Sequence, residues 1–112
     1  METPALWDVW VVPFPYSDRL AEKRRPALIV SGDALLRDHG LVWLAMITST
    51  RINAWASDVE IGDLSAAGLP LASRVRIAKI ATIEPGRLLS RRGRLSQRDA
   101  ALVRRAMRRF LP

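Results

Sequence analysis

Ser73-Arg74-Val75-Arg76-Ile77-Ala78-Lys79-Ile80-Ala81-Thr82-Ile83 alternates along much of its length. A period of two is that of a β-strand. It places Val75, Ile77, Ala81 and Ile83 on one face, and Arg74, Arg76, Ala78 and Ile80 on the other. Upstream, Leu41-Val42-Trp43-Leu44-Ala45-Met46-Ile47-Thr48 is the longest apolar run and reads as a central strand covered on both faces. Ser57 to Ile61 alternates and reads as a half-buried strand. Pro26 to Ser31 is a further strand, closed by the turn residues Gly32-Asp33. Trp7-Asp8-Val9-Trp10-Val11-Val12-Pro13-Phe14 is aromatic and β-branched, again strand chemistry. Pro13 and Pro15 remove backbone donors, so this strand ends at Pro13 or runs along a sheet edge. Tyr16 to Arg25 reads as a polar loop, and Ala34 to Gly40 as one short helical turn.

Downstream, Glu84-Pro85-Gly86 breaks the alternating strand. Leu88-Leu89 adds a short strand before a turn at Arg91–Gly93. Ser96-Gln97-Arg98-Asp99 has the form of a capping box with Asp in the Glu/Gln place. Leu102, Val103, Ala106, Met107 and Phe110 then recur at helical spacing, predicting an amphipathic helix of about four turns. Strands this close in sequence leave no room for βαβ crossovers. The pattern predicts an α+β fold, a small strongly curved antiparallel barrel with a C-terminal helix packed on it.

At 112 residues the chain is predicted to form a single domain, 1–112. Its 18 Lys+Arg against 11 Asp+Glu give a net charge of +7. The imbalance lies in residues 85–112, where nine arginines face Asp99 alone. Such asymmetry favours an anionic partner, nucleic acid or an acidic protein segment, over a merely solvated helix face. The absence of cysteine excludes a disulfide framework and a thiolate nucleophile, and the single histidine, His39, excludes a His-rich metal centre. No cofactor and no metal are expected. No apolar run approaches the length of a membrane span, and Met1-Glu2-Thr3-Pro4 lacks a basic leader, so a soluble cytoplasmic domain is expected.

Two short motifs carry chemistry. In Lys23-Arg24-Arg25-Pro26, proline drives Arg25 toward an extended backbone at the mouth of a strand. There its planar guanidinium can fork onto a phosphate; the plainer alternative is a surface cluster. Thr48-Ser49-Thr50, with Arg51 following, ends the most apolar strand, where hydroxyls can donate to an anionic oxygen or simply cap a turn. His39 is placed in a loop as surface decoration. Trp10 and Trp43 are assigned to the core and Trp55 to an exposed connection, where it can stack a base. Asp58, Glu60 and Asp63 lack a paired partner, which gives glycosidase or two-metal chemistry little support.

These residues, in order, resemble the MazF/PemK family of toxin endoribonucleases. The resemblance rests on Trp7-Asp8-Val9, Val12-Pro13-Phe14-Pro15-Tyr16-Ser17-Asp18, Lys23-Arg24-Arg25-Pro26-Ala27-Leu28-Ile29-Val30-Ser31 and Ala45-Met46-Ile47-Thr48-Ser49. It continues through Asp58-Val59, Ala67-Gly68-Leu69, Ser73-Arg74-Val75-Arg76, Lys79, Thr82-Ile83 and Gly93-Arg94-Leu95, so it covers about residues 7–110. It implies a homodimeric SH3-like barrel that cleaves single-stranded RNA, is neutralised by a cognate antitoxin, and joins it in a DNA-binding complex. The family's catalytic arginine falls on Arg25 and its threonine on Thr48, and Arg76 matches an arginine used by some members. Two departures stand out. Trp7 replaces the glycine that usually opens the first strand, and Ala78 stands where some members carry an acid.

RNA brings its own nucleophile, the 2′-OH, so such an enzyme needs neither a metal nor a side-chain nucleophile. Arg25 suits stabilisation of the charged phosphorane, and Thr48 or Ser49 can add a hydrogen bond. Lys23, Arg24, Arg51, Arg76 and Lys79 are expected to contact phosphates, and Phe14, Tyr16 and Trp55 to offer stacking surfaces. The rival readings are a non-catalytic nucleic-acid-binding barrel and a CcdB-like gyrase poison. The chain ends Arg109-Phe110-Leu111-Pro112, without the Trp-Gly-Ile tail of the latter.

Overall fold

The computed structural model describes residues 2–14 and 23–111. The strands are β1 (Asp8–Phe14), β2 (Lys23–Ile29), β3 (Val42–Ser49), β4 (Val59–Glu60), β5 (Ser73–Ile83) and β6 (Ser90–Arg94). Helices α1 (Asp33–His39), α2 (Leu64–Ala67) and α3 (Gln97–Met107) lie between and after them. All strand pairs are antiparallel, in the order β4-β5-β3-β2-β1-β6. The curled sheet encloses an inner core of Val9, Leu28, Ala45, Ile47, Val75, Ile77 and Leu95, against which Val103 of α3 packs. A second cluster, Trp10, Val12, Ala27, Ile29, Val42 and Leu44, lies on the opposite face, with Leu36 of α1 packed onto it. Burying these branched side chains on both faces is the main stabilising term. No helix among the described residues is long and apolar enough to cross a membrane.

The edges of the sheet meet through α2. A side chain on Gly93 of β6 would collide with the backbone of Ala66 and Ala67, and one on Gly68 with the carbonyl of Arg92. Gly68 also ends α2 in the left-handed region, at φ 69°, where glycine carries no Cβ penalty. Two missing side chains therefore let α2 seat directly on β6.

Two irregularities set the curl. Between Ala45 and Met46 the partner on β5 jumps from Ile80 to Arg76, so Ile77, Ala78 and Lys79 bulge out. An odd number of extra residues reverses which face each side chain takes. Val75 and Ile77 consequently enter the inner core, while Ile83 packs on the second cluster, correcting the expectation that all four apolar residues share one face. A second bulge, opposite Val9 and Trp10, leaves Arg92 between the paired residues Arg91 and Gly93.

Other expectations are revised. β2 begins at Lys23, so Lys23, Arg24 and Arg25 belong to a strand and not to the polar loop. β1 continues through Pro13, which is tolerated because β6 pairs only with Asp8–Val11 and leaves that side of β1 open. Arg91–Gly93 is strand rather than turn, and Leu88-Leu89 precedes that strand. Helix α2 was not anticipated. His39 sits in the last turn of α1, which is longer than the single turn expected. Trp43 is 44% exposed, because on its face of β3 the inner core stops at Ala45. Helix α3 spans three turns, packing Ala100, Val103, Ala106 and Met107 inward and leaving Leu102 and Phe110 exposed.

Ser96 caps α3 by accepting the Asp99 N–H at 3.1 Å. The Asp99 carboxylate does not return to Ser96; buried, it accepts from the N–H groups of Gly62 and Asp63 at 3.1 and 2.9 Å and pins α3 to the turn before α2. Asp8 plays a similar part for the N-terminal segment, accepting from Ala5 N–H and facing Arg91 Nε at 3.3 Å. Trp7 has a left-handed backbone at φ 75° and packs against the inner core.

Candidate active site

The site begins with a missing hydrogen. β2 pairs with β3 only at Ala27–Met46, Leu28–Ala45 and Ile29–Leu44. Pro26, the next residue toward the start of β2, has no N–H to offer a ladder. From there the strands part: β2 stays with β1, and β3 goes on with β5 as far as Ser49. Two residues beyond the Ala27–Met46 rung stand Arg25 on one strand and Thr48 on the other. A continued ladder would have paired them on the same face. Both line the cleft opened by the parting strands, on either side of which lies a lobe, one of about 380 Å³ and one of about 260 Å³.

The smaller lobe is walled by Met46, Ile47, Ile52, Arg76 and Lys79 together with Arg25 and Thr48. Lys79 reaches it from the β5 bulge. Arg76 is anchored: Nε donates to Asp58 Oδ1 at 3.2 Å, and Nη2 to Asp58 Oδ2 and the Asn53 carbonyl at 2.9 Å each. Its guanidinium also lies 4.2 Å from the centroid of the Trp55 ring, a cation–π distance. Arg74 Nη1 donates to the carbonyls of Thr50 and Ile52. The two arginines thus fasten the Thr50–Asp58 connection onto β5. Burial raises the Asp58 pKa, but hydrogen bonds from Arg76 and Trp55 N–H and the charges of Arg76 and Arg74 outweigh it, holding the carboxyl below its ordinary value. The partner of Asp58 is thus a cation, not a second carboxylate.

The larger lobe is lined by Arg24, Arg25, Thr48, Ser49, Ser73, Arg92 and the apolar wall Leu69-Pro70-Leu71. The structure thus gathers Arg24, Arg25, Thr48, Ser49, Arg76 and Lys79 around one cleft. It does not bring Lys23 or Arg51 to either lobe; both are exposed, and the Arg51 N–H donates to Ser49 Oγ at 3.1 Å, capping the turn. His39 lies at the exposed end of α1 and lines neither lobe. Tyr16 and the side chain of Phe14 fall outside the described residues. Trp55 is 46% exposed, as expected of it. Sequence reasoning missed Arg92 and Leu69–Leu71 as cleft residues. Only the glycines at 68 and 93, which let α2 meet β6, hinted that those segments come together.

Fold and site together define a small curled-sheet protein whose split strands hold a cationic, hydroxyl-bearing cleft. The chain belongs to the PemK-like, MazF-like toxins of type II toxin–antitoxin systems, whose family model matches residues 6–111. Among solved structures it is similar to an endoribonuclease in complex with its cognate antitoxin from a mycobacterial species, at 22% identity and TM-score 0.75, covering 99% of this chain and 95% of that one. It is also similar to the MazE–MazF complex of Deinococcus radiodurans, at 20% identity and TM-score 0.73 over 99% and 97% of the two chains. The Mycobacterium tuberculosis toxin MazF-mt6 aligns at 22% identity and TM-score 0.70 over 89% and 91%. No curated protein matches the chain by sequence.

Proposed function

We propose that this toxin is an endoribonuclease that cuts single-stranded RNA in the cleft between β2 and β3, in the cytoplasm, as a homodimer restrained by a cognate antitoxin. The observation that carries the reading is the meeting of Arg25 and Thr48 where the strands part, in a chain of this family. The 2′-oxygen of the substrate forms a new bond to phosphorus as the bond to the 5′-oxygen breaks. The 2′-OH loses its proton, and the departing 5′-oxygen gains one. The products are a 2′,3′-cyclic phosphate and a 5′-OH. Arg25 faces the non-bridging oxygens, where negative charge grows, and Thr48 donates a further hydrogen bond there. Thr48 suits that role better than Ser49, because it lines both lobes with Arg25 whereas Ser49 lines only the larger one. A guanidinium stays protonated, so Arg25 serves as an electrostatic group rather than a base.

The similar mycobacterial and Deinococcus structures are complexes with an antitoxin, and the arginines of residues 85–112 suit an acidic partner. The exposed Leu102, Phe110 and Leu111, with Trp43 and Ile80, offer apolar surface for a second copy. The deciding experiment is incubation with a defined single-stranded RNA in EDTA, followed by end-group analysis. Fragments ending in cyclic phosphate and 5′-OH are expected. Cleavage abolished by EDTA would overturn the metal-independent route, and binding with no fragments under any condition would reduce the protein to a binding module.

A further inference from the structure

The larger lobe contains a cation that the proposed chemistry does not use. Arg92 is the extra residue of the β6 bulge opposite Val9 and Trp10. Bulges re-aim a side chain that regular pairing would send elsewhere. Its β6 neighbours Arg91 and Arg94 are turned to Asp8, at 3.3 and 3.9 Å, whereas Arg92 lines the cleft with Arg24 and Arg25. The backbone around it is fixed from both sides. Gly68 has no room for a side chain because of the Arg92 carbonyl, and Gly93 has none because of Ala66 and Ala67. The contact that seats α2 on β6 thereby brings Arg92 into the same lobe as Leu69-Pro70-Leu71, the apolar wall that follows Gly68 at the end of α2.

We infer that this lobe is a nucleotide subsite beside the reacting phosphate, in which Arg92 binds the neighbouring phosphate of single-stranded RNA and the Leu69–Leu71 wall receives the attached base. A cation and an apolar wall lining the same lobe match a nucleotide's charged backbone and its flat ring, a pairing that a free phosphate would not need. The inference rests on the proposed function for its substrate, yet binding tests it without turnover.

The probe is a short, fluorescently labelled, mixed-sequence RNA with 2′-O-methyl riboses, which lack the attacking hydroxyl. Its affinity is read by anisotropy over a salt series. Arg92→Ala is expected to weaken binding about five- to tenfold at moderate salt and to flatten the log–log salt slope by about 0.7, the value for one lost contact to a single strand. Leu71→Ala is expected to lower affinity without changing the slope. Arg98→Ala, which removes the same charge from the exposed side of α3, should change neither. An Arg92→Ala slope equal to that of the unmodified protein overturns the subsite, as does an equal fall in the Arg98→Ala control. An unchanged Leu71→Ala affinity overturns the base-binding wall. A protein that shows these binding effects but cleaves no ribose-containing RNA would sink the proposed function and leave the subsite standing.

Discussion

At the scale of single residues, Arg25 and Asp58 make opposite uses of charge. Arg25 lines both lobes of the cleft, and in the proposed reaction it acts on charge that exists only as the reaction proceeds. Arg25→Ala is therefore expected to cut single-turnover cleavage by at least about 10²-fold, the scale of a lost oxyanion donor. Asp58 serves the fold. Its side chain and that of Arg76 are both almost fully buried, so Asp58→Ala leaves an uncompensated guanidinium and is expected to cost about 3 kcal/mol in chemical denaturation. The pH dependence has a definite sign. The Asp58 pKa lies below its ordinary 3.8 in the folded state, so its contribution is complete above that value and fades as pH falls through the lowered folded one. The stability gap between the unmodified protein and Asp58→Asn should stay constant above about pH 4 and narrow below it. A gap that widens in acid would contradict the assigned pair.

Among the elements, closure depends on two glycines and a bulge. Gly93→Ala forces a methyl into the backbone of α2 and is expected to destabilise by about 2 kcal/mol or more. Gly86, in the 3-10 turn at Pro85–Arg87, would place a Cβ in open space; Gly86→Ala is expected to stabilise by about 0.4–1 kcal/mol through the unfolded chain. Thermal unfolding of the two variants should move in opposite directions. The same features mark what was legible beforehand. The bounds of β5 follow from its alternation, and those of β3 from its apolar run, because hydrophobic period is a local property. The Arg25–Pro26 motif was legible too, since proline acts on its immediate neighbours. The reversal of faces within β5 was not, because a bulge is a relation between two strands and leaves no period in either. Arg92 was hidden for the same reason: in sequence it is one more arginine of a basic tail. The cation held by Asp58 was hidden because Arg76 lies eighteen positions away, brought near only by the pairing of β4 with β5.

For the whole molecule, the cations of the cleft come from three strands, β2, β5 and β6. Arg24, Arg25, Lys79 and Arg92 line the cleft or its lobes. With four phosphates neutralised, the log–log salt slope for single-stranded RNA is expected near 2.8, so a fourfold rise in salt weakens binding by about fiftyfold. A slope below about 1, measured by anisotropy on the uncleavable strand, would place the binding surface elsewhere. The opening itself owes nothing to charge. It exists because the ring nitrogen of Pro26 cannot knit β2 to β3, a constraint written into covalent structure and indifferent to ligand, salt or acidity. A doorway without a hinge stands ajar from the moment the chain folds. If the proposed reaction takes place there, a restraining partner has only to cover the opening, and its release would leave the cleft as the fold made it.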